Sequence, residues 1–237
     1  MKKILIAGAN GIIGSFLCNR LSKKNIIFTT GLQKKLNKSH YISADLTNLH
    51  DTKKLCNNID HCDILIFLVG LAHKKGKRKE LDKFELINKI TLVNLIQVLD
   101  ETNKLPDKII FSSTISVYGE NRQQLNYDET TKKYPINSYA ITKSKAEEFL
   151  LNNYRKQSWI LRFAPVYSLK FRLNIYRRTK IGNLFYRIGN GSKKLSLCNI
   201  KNINDVVDNI IDGNIPNDVY NVSDPIIYTY NDLLSWS

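Results

Sequence analysis

Apolar runs of strand length alternate with longer segments of helical periodicity as far as Phe163, and this alternation limits the possible folds more than any other feature of the chain. A strand that buries both faces in a parallel sheet needs a crossover to return the chain to the same end. The pattern therefore reads as stacked βαβ units. Strands are expected over residues 3–7, 25–30, 63–68, 108–112 and 158–163, and helices over 12–23, 84–101 and 138–152. From Pro165 onward the pattern loosens into a basic stretch, followed by a helix near 206–212 and an end at Ser237 with no capping element. No internal repeat or low-complexity linker marks a boundary.

The strand at 3–7 runs directly into Gly8-Ala9-Asn10-Gly11-Ile12-Ile13-Gly14, which opens the first helix. Three glycines in that position suit a phosphate-binding turn: Gly8 for the tight bend, Gly11 for close approach of backbone to a pyrophosphate, and Gly14 for helix packing. A plain strand-to-helix turn is the alternative. The segment after the second strand, Phe28-Thr29-Thr30-Gly31-Leu32-Gln33-Lys34-Lys35, lacks the acid that accepts the ribose hydroxyls of NAD. Lys34 and Lys35 suit a 2′-phosphate, so both NAD and NADP stay open, with a solvated loop as the other reading of the lysines.

Tyr139 and Lys143 are four residues apart on an expected helix, which puts phenol and ammonium on one face. A nearby cation stabilises phenolate and lowers its pKa, as an acid/base tyrosine requires. Many exposed helices carry such a pair without function. Here the strand ending in Phe111-Ser112-Ser113-Thr114 delivers hydroxyls to the sheet edge where α/β sites form. Thr114 is placed to hydrogen-bond a reacting oxygen, whereas Ser112 and Ser113 would also serve as caps.

Length and composition are compatible with this reading. A chain of 237 residues, 43% hydrophobic, can bury a core. The net charge of +15 is spread along the chain, with local density at 74–79 and 172–194. It reads as solvated lysine-rich surface, with an anionic small substrate or a membrane surface as alternatives and no nucleic-acid module. No run of 18 apolar residues appears, so no integral membrane segment is expected, and residues 4–7 lead into glycines rather than a cleavage site. A cytoplasmic location is expected. Cys18, Cys56, Cys62 and Cys198 form no C-x-x-C pair, and His40, His50, His61 and His73 have no metal-ligand spacing. Free thiols and no metal are expected.

The glycine turn, Ala44-Asp45-Leu46, the 111–119 segment, Tyr139/Lys143, Leu161-Arg162-Phe163-Ala164-Pro165-Val166-Tyr167 and 219–224 occur in the order seen in the NAD-dependent epimerase/dehydratase family. The chain resembles extended short-chain dehydrogenases of the nucleotide-sugar 4-epimerase and 4-ketoreductase kind, from Met1 to about Leu234. That resemblance implies a doubly wound parallel Rossmann sheet with a small C-terminal substrate-binding subdomain. It divides the chain into a cofactor domain at 1–165 and a reduced or truncated substrate part at 166–237, interleaved with the core.

Residue by residue, the resemblance implies Tyr139 as acid/base, Lys143 bridging the cofactor ribose and Tyr139, and Thr114 as catalytic hydroxyl in reach of substrate. It places the NAD or NADP contacts at Gly8, Asn10, Gly11, Ile12, Ile13, Gly14, Asp45, Leu46, Val69, Gly70, Asn88, Ser112, Tyr139, Lys143, Pro165 and Val166. Asp45 would meet adenine, and Asn174 the diphosphate of the substrate. Three departures stand out: Phe67-Leu68-Val69-Gly70-Leu71-Ala72-His73 where many members carry His-Leu-Ala-Ala; Asn202, or Asp205 in another register, at an aspartate position; and an end where the family continues.

Sugar dehydratases of the family carry Asp-Glu after the catalytic threonine, since eliminating water needs a further acid and base. Ile115 and Ser116 stand there. Hydride exchange at a sugar carbon is therefore expected, as epimerisation or 4-keto reduction of a nucleotide sugar in polysaccharide or O-antigen sugar biosynthesis. A cofactor sensor that has lost its chemistry is the alternative from another class. A homodimer is the assembly to test.

Overall fold

Four of the apolar runs form the centre of one parallel sheet in the computed structural model, which describes residues 1–33, 40–72, 80–119 and 126–236. The chain lays down β1 (Lys3–Ala7), β2 (Ile26–Gly31), β3 (Tyr41–Ser43), β4 (Ile64–Phe67), β5 (Lys108–Thr114) and β6 (Ser158–Phe163). Five two-residue strands follow: β7 (Val166–Tyr167), β8 (Lys180–Ile181), β9 (Leu184–Phe185), β10 (Lys194–Leu195) and β11 (Cys198–Asn199). Then β12 (Val219–Val222) returns to the main sheet, and β13 (Tyr228–Thr229) pairs with β10. The main sheet has seven strands in the order β12-β6-β5-β4-β1-β2-β3, all parallel.

Helices cover both faces. Their ranges are α1 (Ile12–Leu21), α2 (Leu49–Asn57), α3 (Leu81–Glu85), α4 (Thr91–Glu101), α5 (Ser138–Asn153), α6 (Leu173–Thr179), α7 (Ile200–Ile211) and α8 (Tyr230–Ser235). Alternate strand residues supply two cores. Leu5, Leu65, Phe67, Phe111 and Ile160 face α2, α4 and α5, whereas Ile4, Ile6, Ile66, Ile110 and Leu161 face α1 and α7. Each such fully buried side chain stabilises the fold by about 1.5–3 kcal/mol. The expected doubly wound α/β architecture is therefore the observed one.

The order reverses between β1 and β4, and a crevice opens at the carboxyl ends of strands at such a switch point. The glycine turn leaves β1 there, and Val69-Gly70 leaves β4 beside it. Ser112 Oγ donates to Phe67 O at 3.1 Å and ties the ends of β4 and β5 together.

Several elements differ from expectation. β5 continues to Thr114, beyond the expected stop at 112. The helix expected at 206–212 begins at Ile200, where Asn199 caps it by accepting from Lys201 N. Ile200, Ile203, Val207 and Ile210 are its buried stripe, broken in sequence by Lys201, Asn202 and Asn204. Near the chain end lies α8, not expected from the sequence, its N-terminus capped by a reciprocal box between Thr229 and Asp232.

Candidate active site

Local sequence determines the shape of the glycine turn. Gly8 has φ of +85°, and a Cβ there would lie 2.9 Å from Leu68 C and Val69 N, so the turn presses directly on the strand end of β4. A Cβ on Gly14 would lie 2.4 Å from Gly8 O, and α1 packs against the turn only because that position has no side chain. Gly14→Ala is expected to destabilise the fold by about 1–3 kcal/mol through overpacking. Calorimetry reads this directly, and an unchanged melting temperature would refute it.

Gly11 is different. It is the N-cap of α1 in ordinary extended backbone, offers no side-chain acceptor, and a Cβ there would meet only Gly8 O at 3.4 Å. The fold itself does not need glycine at this position. The space a Cβ would fill lies over the first turn of α1, whose N–H groups at Ile12 and Ile13 have no capping side chain. This cradle fits a dinucleotide pyrophosphate. Asn10 turns sideways, its Nδ2 donating to Tyr41 Oη at 3.4 Å, and so ties the turn to the start of β3.

A second set of groups converges at the end of β5. Gly119, at φ +76°, lets Tyr134 O pass where a Cβ would come within 2.3 Å, and Tyr134 N donates to Val117 O at 2.9 Å. This stitch brings the segment before α5 over the Thr114 turn. Asn137 then caps α5 by accepting from Ala140 N at 3.0 Å. As a result the half-buried Tyr139 starts α5 on the side of the Thr114 side chain. Thr114 Oγ1 accepts from Ser116 N at 3.2 Å.

Lys143 is buried one turn further on. Its Nζ donates to Ser112 O at 2.8 Å and Val69 O at 3.4 Å and sits 4.7 Å over the Phe111 ring. A Cβ on Gly70 would lie 3.2 Å from that nitrogen. Asn88, in a π-helical turn (Leu86–Ile90) between α3 and α4, accepts from Leu71 N at 2.6 Å and donates to Thr142 Oγ1 at 3.1 Å. Such turns rotate one side chain out of helical register. Here the side chain holds the β4 loop against α5.

One expectation about this pair is corrected. Burial pushes the Tyr139 phenol up to about 12, and the nearby Thr114 side chain, rather than the charge of Lys143, opposes it. Burial likewise pulls Lys143 down to about 7, against the pull of Glu147. Position along a helix does not reveal how deeply either group is buried. Between about pH 7 and 10.5 the unfolded chain therefore keeps a proton that folded Lys143 has lost, and stability rises with pH across that window. Lys143→Met is expected to flatten this rise, measured by thermal unfolding at pH 7 and pH 9.

The other expected residues occupy varied positions. Asp45, beyond β3, accepts from Thr47 N at 2.9 Å and Thr47 Oγ1 at 2.7 Å, while Leu46 is buried and its carbonyl accepts from Asn94. Pro165 O accepts from Cys198 N, and Val166 packs on the same apolar cluster as Ile13 and Ile115. Asn174 Nδ2 donates to Val166 O at 2.8 Å, so its amide nitrogen is already engaged by backbone. Asn202 donates to Asp224 at 2.7 Å, whereas Asp205 is exposed. Lys34, Lys35 and His73 lie outside the described residues. None of the four cysteines is in a disulfide and all are buried, with Cys62 and Cys198 pushed up to about 12 by burial.

Sequence reasoning missed the polar network beneath this site. Glu147, fully buried, pairs through Oε2 with Arg162 Nη2 at 2.7 Å and through Oε1 with Arg162 Nε at 3.0 Å. Two signals in the sequence pointed to it: a charged residue inside the apolar run 158–163, and an acid four residues after Lys143.

The family model of the NAD-dependent epimerase/dehydratase family matches residues 4–222. The chain belongs to that family. Among curated members it is 30% identical over 177 residues to a Methanocaldococcus jannaschii protein provisionally named a UDP-glucose 4-epimerase, covering 70% of this chain and 56% of that one. It is 26% identical over 209 residues to the Escherichia coli O157:H7 N-acetyl-alpha-D-glucosaminyl-diphospho-ditrans,octacis-undecaprenol 4-epimerase, covering 84% and 60%. The chain thus spans a little over half the length of these relatives. In fold it matches the UDP-N-acetylglucosamine 4-epimerase of Bacillus cereus, with a TM-score of 0.78 at 20% identity over 99% of this chain and 83% of that one. Among the described residues of this family member, no helix is long and apolar enough to cross a membrane.

Proposed function

We propose that this chain binds NAD or NADP along the glycine turn and exchanges hydride at a carbon of a nucleotide-linked sugar, with Tyr139 as acid/base. One observation carries the reading. Buried Lys143, one turn after Tyr139 on α5, donates to the carbonyl of Val69, whose backbone N lies against Gly8 of the turn. Phosphate cradle and proton-transfer group are thus joined through a single strand end.

When bound, the nicotinamide supplies the hydride chemistry. The residues of the chain do the rest. Backbone N–H groups of Ile12 and Ile13 hold the pyrophosphate, and Lys143 is placed to reach a ribose hydroxyl from the floor of the site. Thr114 orients the reacting sugar oxygen, and Tyr139 gives or takes its proton at Oη. The raised pKa of Tyr139 favours the protonated phenol as the resting form, which suits donation to a ketone oxygen. Ile115 and Ser116 offer no further acid or base, in keeping with epimerisation or 4-keto reduction rather than dehydration.

Residues 1–165 act as the cofactor part in this reading and residues 166–237 as the substrate part. A concavity of about 390 Å³ lined by Tyr167, Arg172, Ile175, Asn199 and Trp236 is the place proposed for the far end of the substrate. Native mass spectrometry of the purified chain, with calorimetry against NAD and NADP, tests the reading. Tight binding of at least one dinucleotide is the expected result, and NADP at least as tight as NAD. Failure to bind either by a folded chain would overturn it.

A further inference from the structure

We propose that Glu147 is a positioning residue for the proton-transfer pair: clamped by Arg162 and Ser113, its carboxylate fixes the turn of α5 that carries Lys143 and keeps an anion one helical turn from it. This assignment rests on the roles proposed above for Tyr139 and Lys143.

Glu147 follows Lys143 by four residues and Tyr139 by eight, so all three lie along one face of α5. Four donors surround its carboxylate. Arg162 Nε and Ser113 Oγ reach Oε1, and Arg162 Nη2 and Lys133 Nζ, the latter at 3.4 Å, reach Oε2. Each donor comes from an element that builds the site. Ser113 lies between Ser112 and Thr114 on β5, Lys133 belongs to the segment leading to Tyr139, and β6, with Arg162, runs into Pro165 and Val166.

Arg162 extends the clamp. Its Nη1 donates to Tyr118 Oη at 2.8 Å, and Tyr118 donates to Asn221 Oδ1 at 2.8 Å. Asn221 in turn donates from its backbone N to Glu129 and from Nδ2 to Tyr127 O. One carboxylate therefore holds together α5, β5, β6 and, through Arg162, β12.

Packing alone does not call for an acid here. Ala146 and Leu150 already seat α5 on the sheet, and burying a carboxylate costs several kcal/mol before its partners offset it. A hydrophobic residue would fill position 147 at no such cost. What it would not provide is charge. The groups around Lys143 from β4 and β5 are neutral, namely the carbonyls of Val69 and Ser112 and the Phe111 ring. On α5 itself Tyr139 is neutral at physiological pH, so Glu147 is the anion that opposes the effect of burial on Lys143.

The test is an NMR titration of the Lys143 side chain through its ε-carbon, assigned with Lys143→Arg, in the unchanged chain, in Glu147→Gln and in Glu147→Gln/Arg162→Met. The double variant also removes the guanidinium that Glu147 neutralises, so it carries the test should the single variant not fold. Removing the anion is expected to lower the Lys143 midpoint by about one pH unit in the single variant, and by less in the double variant, which loses the Arg162 cation as well. The alkaline limb of the kcat profile should move with it. An unmoved midpoint in a folded variant would overturn the proposal and leave Glu147 a structural residue. The titration needs no substrate, so an inactive parent chain would count against the proposed reaction and not against this assignment.

Discussion

Tyr139→Phe is expected to bind dinucleotide as the unchanged chain does and to lose about 10²–10⁴-fold in turnover, the usual worth of positioned proton transfer. The substitution removes one oxygen. The ring keeps its place at the start of α5, and the Asn137 cap that orients this turn is untouched. Thr114 keeps its bond from Ser116 N, so the strand end retains its shape. The loss should fall on kcat, because in the proposed reaction the phenol acts on the reacting oxygen, and Lys143 contacts Ser112 O and Val69 O without it. Steady-state kinetics on a sugar nucleotide identified by mass spectrometry decides the matter. Near-normal turnover would remove Tyr139 from the mechanism.

Gly11→Val should give the opposite separation, with a fold left intact and binding lost. Backbone at position 11 accepts any residue, and the only atom near a new Cβ is Gly8 O at 3.4 Å. The valine methyls would stand over the N–H groups of Ile12 and Ile13. Losing two hydrogen bonds to a charged phosphate, each worth about 1.5–3 kcal/mol, corresponds to about a 100-fold or greater weakening. Paired calorimetric scans and cofactor titrations test both halves. Unchanged affinity in a stable variant would move the pyrophosphate elsewhere.

Legibility of the chain varied with the kind of signal. The strands at β1, β4, β5 and β6 stand out because burial on both faces leaves almost unbroken apolar runs. β3 and α2 escaped notice, since a three-residue edge strand and a helix with only Thr52, Leu55 and Cys56 buried carry too little apolar periodicity. The grouping of Thr114, Tyr139 and Lys143 was readable because each sits at a defined distance from a strand end or a helix start. Glu147 was not. An acid at i+4 from a lysine reads as a solvated pair, and only the stacking of α5 on β5 and β6 turns that face inward.

The placement of β12 also shapes how the chain comes to be folded. β6 is buried along its whole length, yet one of its edges is covered only by Val219–Val222, which leave the ribosome last of the seven main-sheet strands. Until then the nascent domain carries an unpaired edge at Ile160 and Leu161, a template for association with other chains. The closing contact spans residues far apart in sequence, which slows its formation. Efficient production should therefore depend on chaperone occupancy during the interval between synthesis of β6 and of β12, and a chain interrupted within that interval should aggregate.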